Sequence, residues 1–277
     1  MRRALLAGRS RGLIELRQSV TNGGDLFNHF LWPVLMLVTL WFLRGREVAG
    51  FPLAALALPG ILGMNAAMAT MSMSQQLTAD REDGTLLRAR ATPHGLTGYL
   101  TGKLIAVSGG LFLDLAIFLI PALLLIPGPV VDRPGAWLAL AALLVLSLLA
   151  TLPTGAVLGS VAPSTRGQGL LTLPVLAVIA ISGVFYPITV LPGWLQGIAQ
   201  GFPVYWLGLG MRAALLPPEA VTVEIGNSWR HLETVAVLGA WAAAGLLLAP
   251  LVLRRMARHE SGSALATRRD RALRQAR

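Results

Sequence analysis

The sequence predicts an all-α polytopic membrane protein, and three observations predict it. Of 277 residues, 55% are hydrophobic and only 13% charged, about half the charge of an ordinary soluble domain. Mean hydropathy is +0.65, and the apolar residues gather into runs long enough to cross a bilayer, for which about 20 residues suffice. The segments between these runs carry the 23 Lys and Arg.

Residues 1–25 place Arg2, Arg3, Arg9, Arg11 and Arg17 among Leu5, Leu6, Leu13, Ile14, Leu16 and Val20. At helical spacing most apolar positions share one broad face, with Arg11, Glu15 and Gln18 opposite. This predicts an interfacial amphipathic helix on the cytoplasmic leaflet, with Arg9 and Arg17 snorkelling to water; the alternative is a disordered basic tail. Six transmembrane helices follow within residues 26–253: Leu26–Leu43, Pro52–Ser74, Leu104–Ile126, Ala136–Val161, Gly169–Tyr186 and Thr234–Leu253. Pro127, Gly128, Pro129 and Pro134 make the turn before the fourth. Residues 254–277 form a basic tail.

Two segments break the run of spans. Gln75–Lys103 (residues 75–103) holds Asp80, Arg81, Glu82, Asp83, Arg88, Arg90 and Lys103, with Gly84, Pro93 and Gly95 as helix punctuation. So polar a segment between two spans must sit in water or against another protein. Residues 187–233 begin with the apolar stretch Ile188–Leu216, broken by Pro192, Gly193, Gly201 and Pro203. Each half has about 10–14 residues, too few to cross, which predicts an extracellular re-entrant helical hairpin before the last span. Trp194 and Trp206 are expected to anchor it at headgroup level.

Charge sets the orientation. With the N-terminus inside, eighteen Lys/Arg fall on the cytoplasmic side and five outside, a strong positive-inside asymmetry. Both termini are then cytoplasmic, the 75–103 segment is inside and the hairpin outside. The net charge of +10 is read as topology signal and lipid-headgroup contact rather than nucleic-acid binding. Arg outnumbers Lys 22 to 1, as GC-rich bacterial codon usage gives. No cleavable signal peptide is expected. The chain has no cysteine, which excludes disulfides and thiolate metal sites. The histidines His29, His94, His231 and His259 lack ligand spacing.

Catalytic patterns are missing. Gly98, Gly102 and Lys103 approach a phosphate loop, but Thr97 stands at the first glycine position and Leu104 at the Ser/Thr position, so the match fails. Asp114 is the one charge deep in a span, about 16 Å along the helix from Lys103 at 1.5 Å per residue. It is a cation or proton site, or a carboxylate facing the bundle interior, protonated or hydrogen-bonded. A proton relay normally uses several such groups, which favours the second reading. Gly155 and Gly159 form G-x-x-x-G, a close-packing motif. Met64, Met68, Met71 and Met73 line the second span, either as an adaptable wall for apolar substrates or as ordinary packing.

Two stretches resemble the ABC-2 type transporter permeases of the daunorubicin-resistance exporter sort. Asp80-Arg81-Glu82-Asp83-Gly84-Thr85-Leu86, then Thr92-Pro93 and Thr101-Gly102-Lys103, are similar to the family's E-x-G-T-L…T-P…G-K loop. Ser182-Gly183-Val184-Phe185-Tyr186-Pro187, Leu191-Pro192-Gly193-Trp194-Leu195 and Phe202-Pro203 to Arg212 are similar to its S-G-x-F-x-P…L-P…R region; Phe202-Pro203 departs from the usual Asn-Pro. The resemblance implies a permease subunit, not an enzyme, of an exporter for hydrophobic drugs or lipid-like molecules. It implies no cofactor in this chain, with ATP and Mg on a partner ABC ATPase, and a homodimer of permeases with two ATPases in the bacterial inner membrane. It makes Asp80, Arg81, Glu82, Asp83, Gly84, Thr85 and Arg88 the ATPase-coupling residues, on a helix opened by the carboxylates and ended by Gly95. Met64, Met68, Met71, Phe185, Tyr186 and Trp194 are the candidate substrate pathway or gate. A proton-coupled secondary transporter using Asp114 is the alternative from another class; it predicts inverted repeats and broken helices, and neither is visible. An integral membrane enzyme is a third, opposed by the lack of clustered catalytic groups.

Overall fold

The computed structural model describes residues 2–92, 95–129, 132–161 and 167–259. Pro93, His94, Arg166 and the tail beyond residue 259 lie outside the described residues. The described chain forms ten α-helices: α1 (Arg2–Thr21), α2 (Gly23–Leu43), α3 (Leu53–Glu82), α4 (Thr85–Arg90), α5 (Gly95–Leu125), α6 (Pro134–Val161), α7 (Gln168–Ile181), α8 (Gly193–Gln200), α9 (Pro203–Leu215) and α10 (His231–His259). A small antiparallel hairpin, β1 (Glu47–Val48) and β2 (Phe51–Pro52), links α2 to α3. Its turn residues Ala49 and Gly50 both have positive φ, as a type I′ turn requires.

Five helices are long and apolar enough to cross a membrane: α2, α3, α5, α6 and α10 over His231–Leu253. The predicted span Gly169–Tyr186 is shorter as a helix than the sequence suggests. α7 has 14 residues, about 21 Å at 1.5 Å each, against a hydrocarbon core of about 30 Å. Its helix stops because Gly183 takes a left-handed φ of +63°, a conformation that ends helices, and Pro187 follows. Proline stands inside α2, α3, α5, α6, α7 and α10, as helices in lipid tolerate better than helices in water.

The second span is longer than predicted. α3 runs eight residues past Ser74 to Glu82, because Gln75–Glu82 contains no breaker and keeps Leu77 and Thr78 buried. Gly95 opens α5 instead of ending the surface helix. The polar segment is therefore mostly the ends of two long helices, with only α4 and its flanking turns between them.

α3 is the hub: 72% of its apolar window is buried, against 11% for α2. Close approaches fix it there. A Cβ at Gly63 would stand 2.6 Å from the Gly208 nitrogen of α9, and one at Gly159 2.7 Å from the Ser74 carbonyl oxygen. The Gly155–Gly159 motif thus seats α6 on α3 within one chain. α1 lies along the first turns of α5 through a second small-residue seam, Gly8 and Gly12 against Gly98 and Gly102. The face of α1 that packs is consequently the glycine face. Leu5, Leu6, Leu13, Ile14 and Val20 point outward together with Arg2, Arg9 and Arg17.

α8 and α9 form two short helices where the re-entrant hairpin was expected, but they differ in environment. Trp194 on α8 is 68% exposed, whereas Trp206 on α9 is 2% exposed. Trp206 is no interface anchor: its indole N–H donates to the Gln200 carbonyl at 2.7 Å, and α9 is enclosed by α3, α6 and α10.

Candidate functional site

The end of the bundle that carries α4 gathers the charged residues singled out by sequence. Asp80, Arg81 and Glu82 sit on the last turn of α3, not at the opening of a surface helix. Acidic side chains at a helix C-terminus face the negative end of its dipole, so Asp80 needs a cation. Only Asp83 precedes α4, and its Oδ1 accepts from the Thr85 backbone N–H at 2.8 Å, an Asx turn that leads into the helix. Gly84 makes the corner at φ +77°, where a side chain would cost about 1–2 kcal/mol. Arg88 donates through Nη2 to Thr85 Oγ1 at 2.9 Å. Leu86 is 2% exposed and pins α4 to the core, while Asp83 and Arg88 remain exposed.

The cation for Asp80 is Lys103, the chain's single lysine. It is 4% exposed, with its Nζ 2.8 Å from Asp80 Oδ2 and 3.0 Å from Glu15 Oε2 on α1. Tyr99 donates its hydroxyl to Asp80 at 2.7 Å, and Arg11 donates to Glu15 Oε1 at 2.9 Å. Arg11 also lies 5.3 Å from the centre of the Tyr99 ring. For Glu15, burial pushes the carboxyl pKa up, but the hydrogen bonds and charges of Arg11 and Lys103 prevail and hold it below its ordinary value. Asp80 is thus turned inward, held between α3 and α5.

Next to this cluster, Gln168 at the start of α7 donates to the Ser74 carbonyl at 3.1 Å and to Thr78 Oγ1 at 2.6 Å. Thr78 in turn donates to the Gly159 carbonyl at 3.1 Å. These buried bonds tie α7 to the α3–α6 seam.

At the opposite end, Arg212 on α9 joins the two halves of the S-G…R stretch. Its Nη1 donates to the Gly183 carbonyl at 3.1 Å and its Nε to Glu224 Oε1 at 2.5 Å. Both ionic groups are buried, at 3% and 2% exposure. Nearby, Tyr186 donates its hydroxyl to the Ala180 carbonyl, Phe185 packs half-buried against the core, and Trp194 stands out on α8. Of the methionines, Met71 and Met73 are buried, while Met64 and Met68 are half-exposed on one side of α3. Asp114 meets His29 of α2, Nδ1 to Oδ1, at 2.5 Å.

Sequence reasoning gave no site role to Glu15, Tyr99, Gln168 or Glu224, and read Lys103 as a charge of the polar segment, the end of the family-like Gly-Lys stretch and part of a failed phosphate loop. The signals available were one lysine among 22 arginines, and the paired G-x-x-x-G spacings Gly8–Gly12 and Gly98–Gly102. Among the described residues no group of three or more His, Asp or Glu could hold a metal ion.

The family model of the ABC-2 type transporter matches residues 10–216, from within α1 through α9. The chain belongs to the ABC-2 type transporter family. It is therefore an integral membrane protein and an ABC transporter permease, and the family implies an ABC ATPase as partner. No individually curated protein matches the sequence. Within this ABC-2 permease, the matched region holds the α4 corner, the Lys103 cluster and Arg212, and ends before α10.

Proposed function

We propose that this ABC-2 permease is the membrane half of a daunorubicin-resistance-like exporter that moves hydrophobic drugs or lipid-like molecules out of a bacterial cell. It works as a homodimer in the cytoplasmic membrane with two ATPase subunits that bind ATP and Mg. The α4 end faces the cytoplasm, both termini lie inside, and α7 serves as the sixth crossing element. α8 and α9 form the extracellular re-entrant hairpin. The observation that carries the reading is α4 itself. It is a six-residue helix set at a left-handed corner, with Leu86 in the core and Asp83 and Arg88 exposed. A surface helix anchored on the ends of α3 and α5 suits a role in passing the motion of a soluble ATPase to the spans. Met64 and Met68, with Phe185, Tyr186 and Trp194 nearer the hairpin, supply an uncharged wall for apolar cargo.

The test is purification of the tagged chain in mild detergent, followed by identification of bound proteins and by efflux of a lipophilic fluorescent dye. An ABC ATPase is expected to co-purify. Glu82→Arg and Gly84→Val are expected to insert normally and to lose efflux. Absence of any ATPase, or wild-type assembly and efflux in Glu82→Arg, overturns the proposal.

A further inference from the structure

We infer that Lys103 is a positioning residue that clamps α1, the end of α3 and the start of α5 into one body, so that a push on α4 moves three helices together. The inference rests on α4 being the ATPase contact.

Four charges from three helices meet here: Arg11 and Glu15 on α1, Asp80 on α3 and Lys103 on α5. They sum to zero, which is what a buried cluster needs. Lys103 is the member common to both cross-helix pairs. Among the described residues, removing it leaves Glu15 with Arg11 alone, and Asp80 with only the Tyr99 hydroxyl. An ammonium suits the place better than a guanidinium. It is compact and its three donors can divide between two carboxylates, whereas the planar fork of Arg favours one. In a chain that otherwise uses arginine 22 times, lysine occupies this one crowded point.

The cluster also lies where force would enter. Only Asp83 and Gly84 separate α3 from α4. α4 packs on both α3 and α5, and Leu86 ties it to the core. α1 has no covalent route to α4 except through α2 and α3. Its route in space is the glycine seam with α5 and the Glu15–Lys103 pair. With the clamp closed, displacement of α4 carries α1 along, together with the outward apolar residues Leu5, Leu6, Leu13 and Ile14. With the clamp open, the end of α3 can respond without α1 and α5, which the glycine seam still joins.

The chain has no cysteine, so spin labels at Arg9→Cys and Ala79→Cys, both exposed positions, report the α1–α3 separation. The full chain is measured in detergent alone, then with its co-purifying ATPase nucleotide-free and vanadate-trapped. The wild type is expected to give one narrow distance population that trapping moves by less than about 2 Å, the scale of small helix shifts. Lys103→Met is expected to broaden the population and make it nucleotide-dependent. It should keep the ATPase bound and hydrolysing, while export of the lipophilic dye per ATP falls about threefold or more, the scale of mutations along a coupling network. A wild-type distance that shifts on trapping, a Lys103→Met population as narrow as wild type, or an unchanged export ratio overturns the inference. If no ATPase binds, the reading of α4 has failed, and the comparison in detergent alone still decides whether the clamp exists. Should Lys103→Met fail to fold, Glu15→Leu removes only the α1 arm; a population as narrow as wild type in that variant overturns the clamp equally.

Discussion

Arg212→Met isolates the buried knot at the hairpin end. Arg212 and Glu224 are 3% and 2% exposed, and the guanidinium also holds the Gly183 carbonyl at 3.1 Å. Removing the cation leaves a buried carboxylate without compensation, at about 3–5 kcal/mol, and orphans a buried carbonyl, at about 1–3 kcal/mol. A combined loss of about 4–8 kcal/mol is a large part of the 5–15 kcal/mol typical of a folded protein. At about 2–4 °C per kcal/mol for a chain near this size, the melting temperature drops by on the order of 10–30 °C. The assay is thermal unfolding in detergent followed by tryptophan fluorescence, with Trp206 enclosed in the same region. Arg212→Met combined with Glu224→Leu removes both charges and is expected to recover most of the loss, since buried ion pairs are replaceable by apolar pairs. A single variant that melts within about 3 °C of wild type, or a double variant no better than the single, refutes the reasoning.

Asp114→Asn retains a hydrogen-bonding group for His29, so export of a lipophilic dye is expected to be preserved with the wild-type pH profile; complete loss in a folded variant would favour the proton-coupled mechanism. Glu15 has a depressed folded-state pKa, so its contribution to holding α1 is present above its ordinary carboxyl pKa and lost as pH falls through the lower folded value. Labelling of Ser19→Cys in detergent should therefore rise only in acid below the ordinary carboxylate range, and the additional Glu15→Gln should flatten that dependence. A Trp194→Cys variant should be labelled by impermeant reagent from outside intact cells, with a rate that changes under vanadate; labelling from the cytoplasm alone would reverse the orientation.

The fold class was legible because apolar runs of bilayer length have few other uses. Helix ends were less so. Hydropathy cannot tell a polar helix from a loop, and Gln75–Glu82 is polar yet helical up to the corner at Gly84. The hairpin's breakers were legible at Pro192, Gly193 and Pro203, but the fate of Trp206 was not. Tryptophan suits an interface, and only the enclosure of α9 by three distant helices puts this ring out of reach. The charged cluster was hidden for a similar reason. Glu15 and Lys103 are 88 residues apart, and no periodicity connects them. The motif from Glu82 to Leu86 was legible as an expected partner contact, while Asp80, beside it in sequence, turned out to face inward, because its direction depends on Lys103.

The seat of α9 on α3 has a consequence for biogenesis. Gly208 leaves the ribosome roughly 145 residues after Gly63, which at about 5–20 residues per second is a wait on the order of ten seconds or more. For that interval α3, the most enclosed helix of the finished molecule, stands in the membrane without the helix that covers Gly60 and Gly63. Its bare small-residue groove is open to any neighbouring helix meanwhile. Slowed translation through the hairpin codons is thus expected to lower the yield of assembled permease without touching a single native contact.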